Sequence, residues 1–155
     1  MTRRLLLLAA AGLLATLPGP AAAQAPRGAP APPLALPAGM SPLPAGADRV
    51  SFRPGDSALP AGAAPVLGEI GRRLAAATPT GGGRITVEAQ ASGPSNDASA
   101  ARRIALARAQ AVRAALVAGG IEETRVDVRA LGRTPQALDA ADVLPPGVAR
   151  AGATR

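Results

Sequence analysis

Apolar and polar positions alternate in three places along the 155-residue chain, and helical periodicity fills the stretches between. Arg49-Val50-Ser51-Phe52 alternates and runs into the turn-forming Pro54-Gly55-Asp56, which predicts a short half-buried strand. From about residue 61 to 77, Ala63, Val66, Leu67, Ile70, Leu74 and Ala77 recur at helical spacing, with Glu69, Arg72 and Arg73 off the stripe. Gly62, Pro65, Gly68 and Gly71 are poor helix formers, so packing has to hold this helix, and its start is expected to fray. After the turn Thr80-Gly81-Gly82-Gly83, the segment 84–91 places Ile85, Val87, Ala89 and Ala91 on one face and Arg84, Thr86, Glu88 and Gln90 on the other. A polar loop from Ser92 leads to a second helix that Asp97 or Ser99 caps and that stops at Gly119-Gly120. The segment 125–131 alternates again, with Val126, Val128 and Ala130 inward.

Strands with one apolar face and helices with one apolar stripe bury both by stacking in two layers. The predicted fold is therefore α+β: a β-α-β-α-β sandwich with a small mixed sheet, both helices on one face and the other face wet. The folded domain is expected over 48–133. In the tail, 134–155, Val143-Leu144 before Pro145-Pro146 offers an extra edge strand, and residues beyond Gly147 are expected to be disordered.

The front of the chain reads differently. Met1-Thr2-Arg3-Arg4 followed by the apolar run Leu5 to Leu17 and by Ala21-Ala22-Ala23 has the three parts of a signal peptide, expected over 1–23. The apolar run is shorter than the roughly 20 residues that span a bilayer, and with no Cys there is no site for a bacterial lipid anchor. A periplasmic product without a transmembrane segment is expected, peripheral to the wall or the outer membrane. Residues 24–47, with Pro30-Ala31-Pro32-Pro33, are low in charge and lack periodicity, which predicts a Pro/Ala-rich linker.

Composition narrows the chemistry. Cys, His, Tyr, Trp and Lys are all absent, which removes thiol and imidazole nucleophiles, disulfides, Schiff-base lysines and the usual zinc ligands, so neither a metal nor another cofactor is expected. The remaining Asp and Glu residues, such as Glu88, Asp97 and Asp127, form no constellation in sequence, so no enzyme is predicted. All 17 basic residues are arginines and the net charge is +7; without Arg3 and Arg4 it is +5, suited to an anionic partner. Nucleic acid is the poorer choice of partner, because Phe52 is the sole aromatic on which a base could stack.

One cation stands out. On a wheel of about 100° per residue, Ala101, Ile104, Ala105, Ala109, Val112, Ala115 and Leu116 share the apolar side of the second helix, and Arg108 falls inside that stripe. A guanidinium at an apolar face needs a carboxylate or enough carbonyls. Either it reaches the rim or pairs internally, with Asp97 or Glu88 as the acid, or the acid belongs to a ligand.

Arg108-Ala109-Gln110-Ala111-Val112 followed by Gly120-Ile121 resembles the Arg-Ala-x-x-Val helix and Gly-Ile ending of a known domain. It is shared by the carboxyl-terminal half of outer-membrane protein A (OmpA), the peptidoglycan-associated lipoprotein and the stator protein MotB. Val50-Ser51-Phe52 with Ser57-Ala58-Leu59, Arg125-Val126 and Leu131-Gly132 extend the likeness over about 47–144. The resemblance implies non-covalent peptidoglycan binding, in which a loop Asp takes the ammonium of diaminopimelate and the helix Arg, here Arg108, takes its carboxylate. Gly93, after Ser92, stands where the family carries that Asp, Ala101 replaces its Asn, and Ile104-Ala105 its Leu-Ser pair. Two arrangements remain for a diaminopimelate-type stem peptide. Asp97 supplies the acid from the same loop, or Arg102, Arg103 and Arg108 together hold its carboxylates. The alternative is a module that has lost glycan binding and serves as a protein-interaction piece of an envelope assembly.

Overall fold

The computed structural model describes residues 33–78 and 82–149. The chain divides into two units, Met1–Pro33 and Leu34–Arg155, and all the elements below belong to the second. The expected signal peptide, the linker up to residue 32 and the last six residues lie outside the described residues.

Among the described residues there are five strands and two α-helices: β1 Met40–Pro42, β2 Asp48–Ser51, α1 Ala63–Ala77, β3 Ile85–Gln90, α2 Ala98–Ala118, β4 Val126–Gly132 and β5 Ala140–Leu144. The sheet order is β1-β2-β5-β3-β4, antiparallel throughout except for the parallel β3–β4 pair that α2 connects. This is the expected two-layer α+β sandwich with a mixed sheet. Val50, Ile85, Val87, Ala89, Ala141 and Val143 from the strands meet Leu67, Ile70, Ala105, Ala109, Val112 and Leu116 from the helices in one core.

The predicted helices and the three predicted strands fall where periodicity put them. Asp97 caps α2, accepting from the Ala100 amide at 2.8 Å, whereas the start of α1 has no side-chain cap. Three features depart from expectation. β5 is not an edge strand: it lies between β2 and β3, and all five of its residues are buried. Inside the stretch expected to be linker, β1 pairs with β2, Met40 is buried, and Leu34 and Leu36 pack against the core. Nor is the second sheet face wet, since Glu88, Gln90 and Asp142 on it are buried. Adjacent strands set Arg49 beside Asp142, Asp142 beside Glu88, and Glu88 beside Arg129. Arg49 donates twice to Asp142, at 2.7 and 2.9 Å, and Arg129 to Glu88 at 2.6 Å, so ion pairs accompany the burial of these carboxylates.

Candidate binding site

Arg108 lies on the core side of α2 with no exposed surface. Its fork is spread over three segments. Nε donates to the Asp56 carbonyl at 2.7 Å, Nη2 to the Arg53 carbonyl at 2.9 Å, and Nη1 to both the Gln90 carbonyl at 2.7 Å and Asp139 Oδ1 at 2.8 Å. Its carbon Cζ sits 5.0 Å from the centre of the Phe52 ring, a cation–π distance. The arginine is thus a clip joining the turn after β2, the end of β3 and the loop before β5.

The acid partner is Asp139, not Asp97 or Glu88. Asp97 is spent on the α2 cap and stands 3.9 Å from the exposed Arg103, while Glu88 pairs with Arg129 on the opposite face of the sheet. Burial pushes the Asp139 carboxyl up, but the Ser92 hydroxyl and amide and the Arg108 guanidinium outweigh it and hold the group below the ordinary carboxylate range. Ser92 also accepts from Arg133 Nε at 3.1 Å through its carbonyl. Gly93, joined to Pro94 by a cis peptide, is half-buried, and a Cβ built on it would meet nothing closer than the Ser95 amide at 3.6 Å.

Around the clip, exposed cations gather at one end of the sandwich. Arg53 follows β2, Arg102 and Arg103 occupy the first turns of α2, and Arg133 follows β4. The Arg102 and Arg53 side chains form no hydrogen bond or close ion pair with a described residue, although the Arg53 charge helps to hold the Asp56 carboxyl down. Phe52, Arg53, Asp56, Leu59 and Pro60 line an open cleft of about 530 Å³ next to the clip, and Arg102, Arg103 and Leu106 a shallower one of about 360 Å³. Asp56 lies exposed at the mouth of the first, its carboxyl held below the ordinary range mainly by the Ala58 amide.

The sequence from residue 51 to 143 matches the model of the OmpA family, more than half of the chain. The chain belongs to the OmpA family. Among solved structures, the fold is similar to the peptidoglycan-associated lipoprotein from Burkholderia pseudomallei, with a TM-score of 0.52 and 17% identity over 62% of this chain and 87% of that one. The OmpA-like domain of FopA1 from Francisella tularensis aligns with a TM-score of 0.49 and 9% identity over 72% of this chain and 78% of that one. No curated protein matches the sequence. Among the described residues no helix is long and apolar enough to cross a membrane.

Of the predicted site residues, Arg108 and Ser92 meet through Asp139 at the clip, Gly93 follows Ser92 in the loop, Arg102 and Arg103 stand exposed on α2, and Asp97 is a cap. Asp139, Arg53 and the carbonyls of Arg53, Asp56 and Gln90 escaped sequence reasoning. Main-chain acceptors carry no residue signature, and Asp139 precedes an Ala-rich strand that periodicity hardly marks.

Proposed function

We propose that this OmpA-family module associates non-covalently, and without catalysis, with peptidoglycan in the periplasm. The exposed arginines around the clip hold carboxylates of the stem peptide, and Arg108 itself stays internal. The observation that carries this reading is two exposed guanidiniums near the clip, Arg53 and Arg102, each lining an open cleft of its own and neither held by a hydrogen bond or close ion pair to a described residue, in an OmpA-family chain whose fold is similar to that of a peptidoglycan-associated lipoprotein. Arginine matches a carboxylate through two parallel N–H donors, and a charge-assisted contact of this kind contributes about 1.5–3 kcal/mol.

Cosedimentation with purified sacculi tests the proposal. The wild-type chain is expected in the pellet and to be released by salt; Arg53→Ala with Arg102→Ala should lose on the order of 100-fold in affinity, two contacts at the low end of that range. Asp97→Ala should weaken the helix without changing retention at a temperature where it is folded. Retention of the double-arginine variant equal to wild type removes the proposed surface.

The saturation of Arg108 favours a second reading, in which the module has exchanged wall binding for a protein partner in an envelope assembly. In that case the wild-type chain stays in the supernatant and crosslinks to one discrete envelope protein.

A further inference from the structure

We propose that the outer edge of β4 is a self-complementary docking surface for a second copy of this chain, the two β4 strands pairing antiparallel about Val128. β4 is the last strand of the sheet and, at seven residues, its longest, and no described strand pairs with its outer edge. Proteins usually guard such an edge with proline, a bulge, brevity or charged side chains, and β4 carries one charge of each sign, Asp127 and Arg129. The opposite edge, β1, is three residues long and contains Pro42. β4 contains no proline, and its one extra residue, Leu131, which shifts the register between Ala89–Ala130 and Gln90–Gly132, lies beyond the stretch Val126 to Ala130.

The sequence Val126-Asp127-Val128-Arg129-Ala130 complements itself when reversed. With Val128 opposite Val128 of the second copy, Asp127 faces Arg129 of that copy twice, and Val126 faces Ala130 twice. Opposite charges and apolar pairs directly across two strands each stabilise the pairing. Sliding by two residues in either direction sets Asp127 against its own counterpart or Arg129 against its own, and sliding by one turns the apolar side chains to the wrong face. One register therefore satisfies both faces. Asp127 and Arg129 are partly exposed, and within the chain each already pairs with a charge of opposite sign, Arg84 and Glu88. Joining two copies extends these pairs into a row of alternating sign: Glu88, Arg129, then Asp127 and Arg84 of the second copy.

The helix above the edge points the same way. A Cβ on Gly132 would lie 3.3 Å from the Arg102 backbone, and Arg113 donates to the Glu123 carbonyl just before β4, so the side of α2 between these residues borders β4. Leu106, one turn after Arg102, lies on that side and, among the described residues, is the large hydrophobic one left exposed, at 41%. A two-fold pair brings the two α2 helices alongside each other and gives this side chain a cover.

Sedimentation equilibrium of the purified chain should show a concentration-dependent dimer. Asp127→Arg alone sets Arg against Arg129 and Arg129→Asp alone sets Asp against Asp127, so each variant should be monomeric. An equimolar mixture of the two should dimerise again, because every cation then faces an acid. Circular dichroism confirms that each is folded; for any that is not, Val128→Cys, which adds the chain's single thiol, should give a disulfide-linked dimer under mild oxidation. A wild-type chain that stays monomeric, single variants that dimerise as the wild type does, a mixture that stays monomeric, or no crosslink in the Val128→Cys variant would overturn the proposal.

Discussion

Burying a guanidinium is unfavourable unless its donors find acceptors, and Arg108 finds three carbonyls and one carboxylate within 2.9 Å. Removing one partner leaves the other buried and uncompensated, so Arg108→Ala and Asp139→Ala are each expected to destabilise the fold by about 3–5 kcal/mol, read as a shift of the urea midpoint. The Asp139 carboxyl titrates below its unfolded value, so the stability it adds is complete above an ordinary carboxylate pKa of about 4 and fades as pH falls through the lower folded value. Asp139→Asn should start less stable at pH 7 and lose less on acidification than the wild type. Half-buried Asp48 acts in the opposite sense, since desolvation raises its pKa and the fold disfavours its ionised form. Its unfavourable contribution is absent below the unfolded pKa and grows as pH rises through the folded value, so Asp48→Asn should raise the thermal midpoint at pH 7. Gly93→Asp places an acid beside the clip at a position with room for a side chain, and under the proposed wall binding tighter retention on sacculi is the expected outcome. At this scale the sequence made Arg108 conspicuous, as a charge within an apolar stripe, but offered no means of choosing its partners. Those partners lie 18 to 55 residues away along the chain, and three of the four are main-chain atoms.

Of the two glycines of α1, Gly71 is explained by where the helix crosses its neighbour. A Cβ on Gly71 would overlap the Leu116 carbonyl, and one on Gly119 would overlap the Gly68 backbone, so α1 and α2 meet backbone to backbone. A Cβ on Gly68 itself would sit 3.8 Å from the Ala115 carbonyl, an ordinary contact. Two neighbouring substitutions should therefore have opposite signs. Gly71→Ala is expected to destabilise by about 1–3 kcal/mol through overpacking, whereas Gly68→Ala should be neutral or stabilising by up to about 1 kcal/mol from helix propensity. Thermal melts of the two variants distinguish this packing account from one based on propensity alone. Periodicity was strong enough to mark both helices and three strands because Val, Ile and Leu recur at their buried positions. It failed for β5, where Ala140, Ala141 and Asp142 supply little strand preference and the strand is set by neighbours on both sides. β1 was hidden for a related reason: three residues ending in a proline carry no usable pattern.

For the molecule as a whole, the consequence of a central β5 is that the fold closes late in the sequence. Val143 pairs with both Asp48 and Val87, so the two parts of the sheet are joined only once the last strand is in place. A chain ending at residue 139 should remain unfolded by circular dichroism, while one ending at residue 149 should melt as the full chain does. The fold class and family were legible from ordered short motifs along about two thirds of the sequence. Of the proposed binding surface, Arg102 and Arg103 were legible on the second helix, but Arg53 and Arg133 were not, because they follow β2 and β4 and reach the same end through separate connections. In the proposed division of labour Arg108 holds this end of the sandwich together, while Arg53 and Arg102 face the ligand. The most direct test is an NMR titration of the arginine Nε–H signals with a diaminopimelate-containing stem tripeptide. The expected result is saturable shifts at Arg53 and Arg102, with the Arg108 signal unmoved and still protected from exchange. Shifts confined to Arg108, or none at any of the three at saturating peptide, would contradict it.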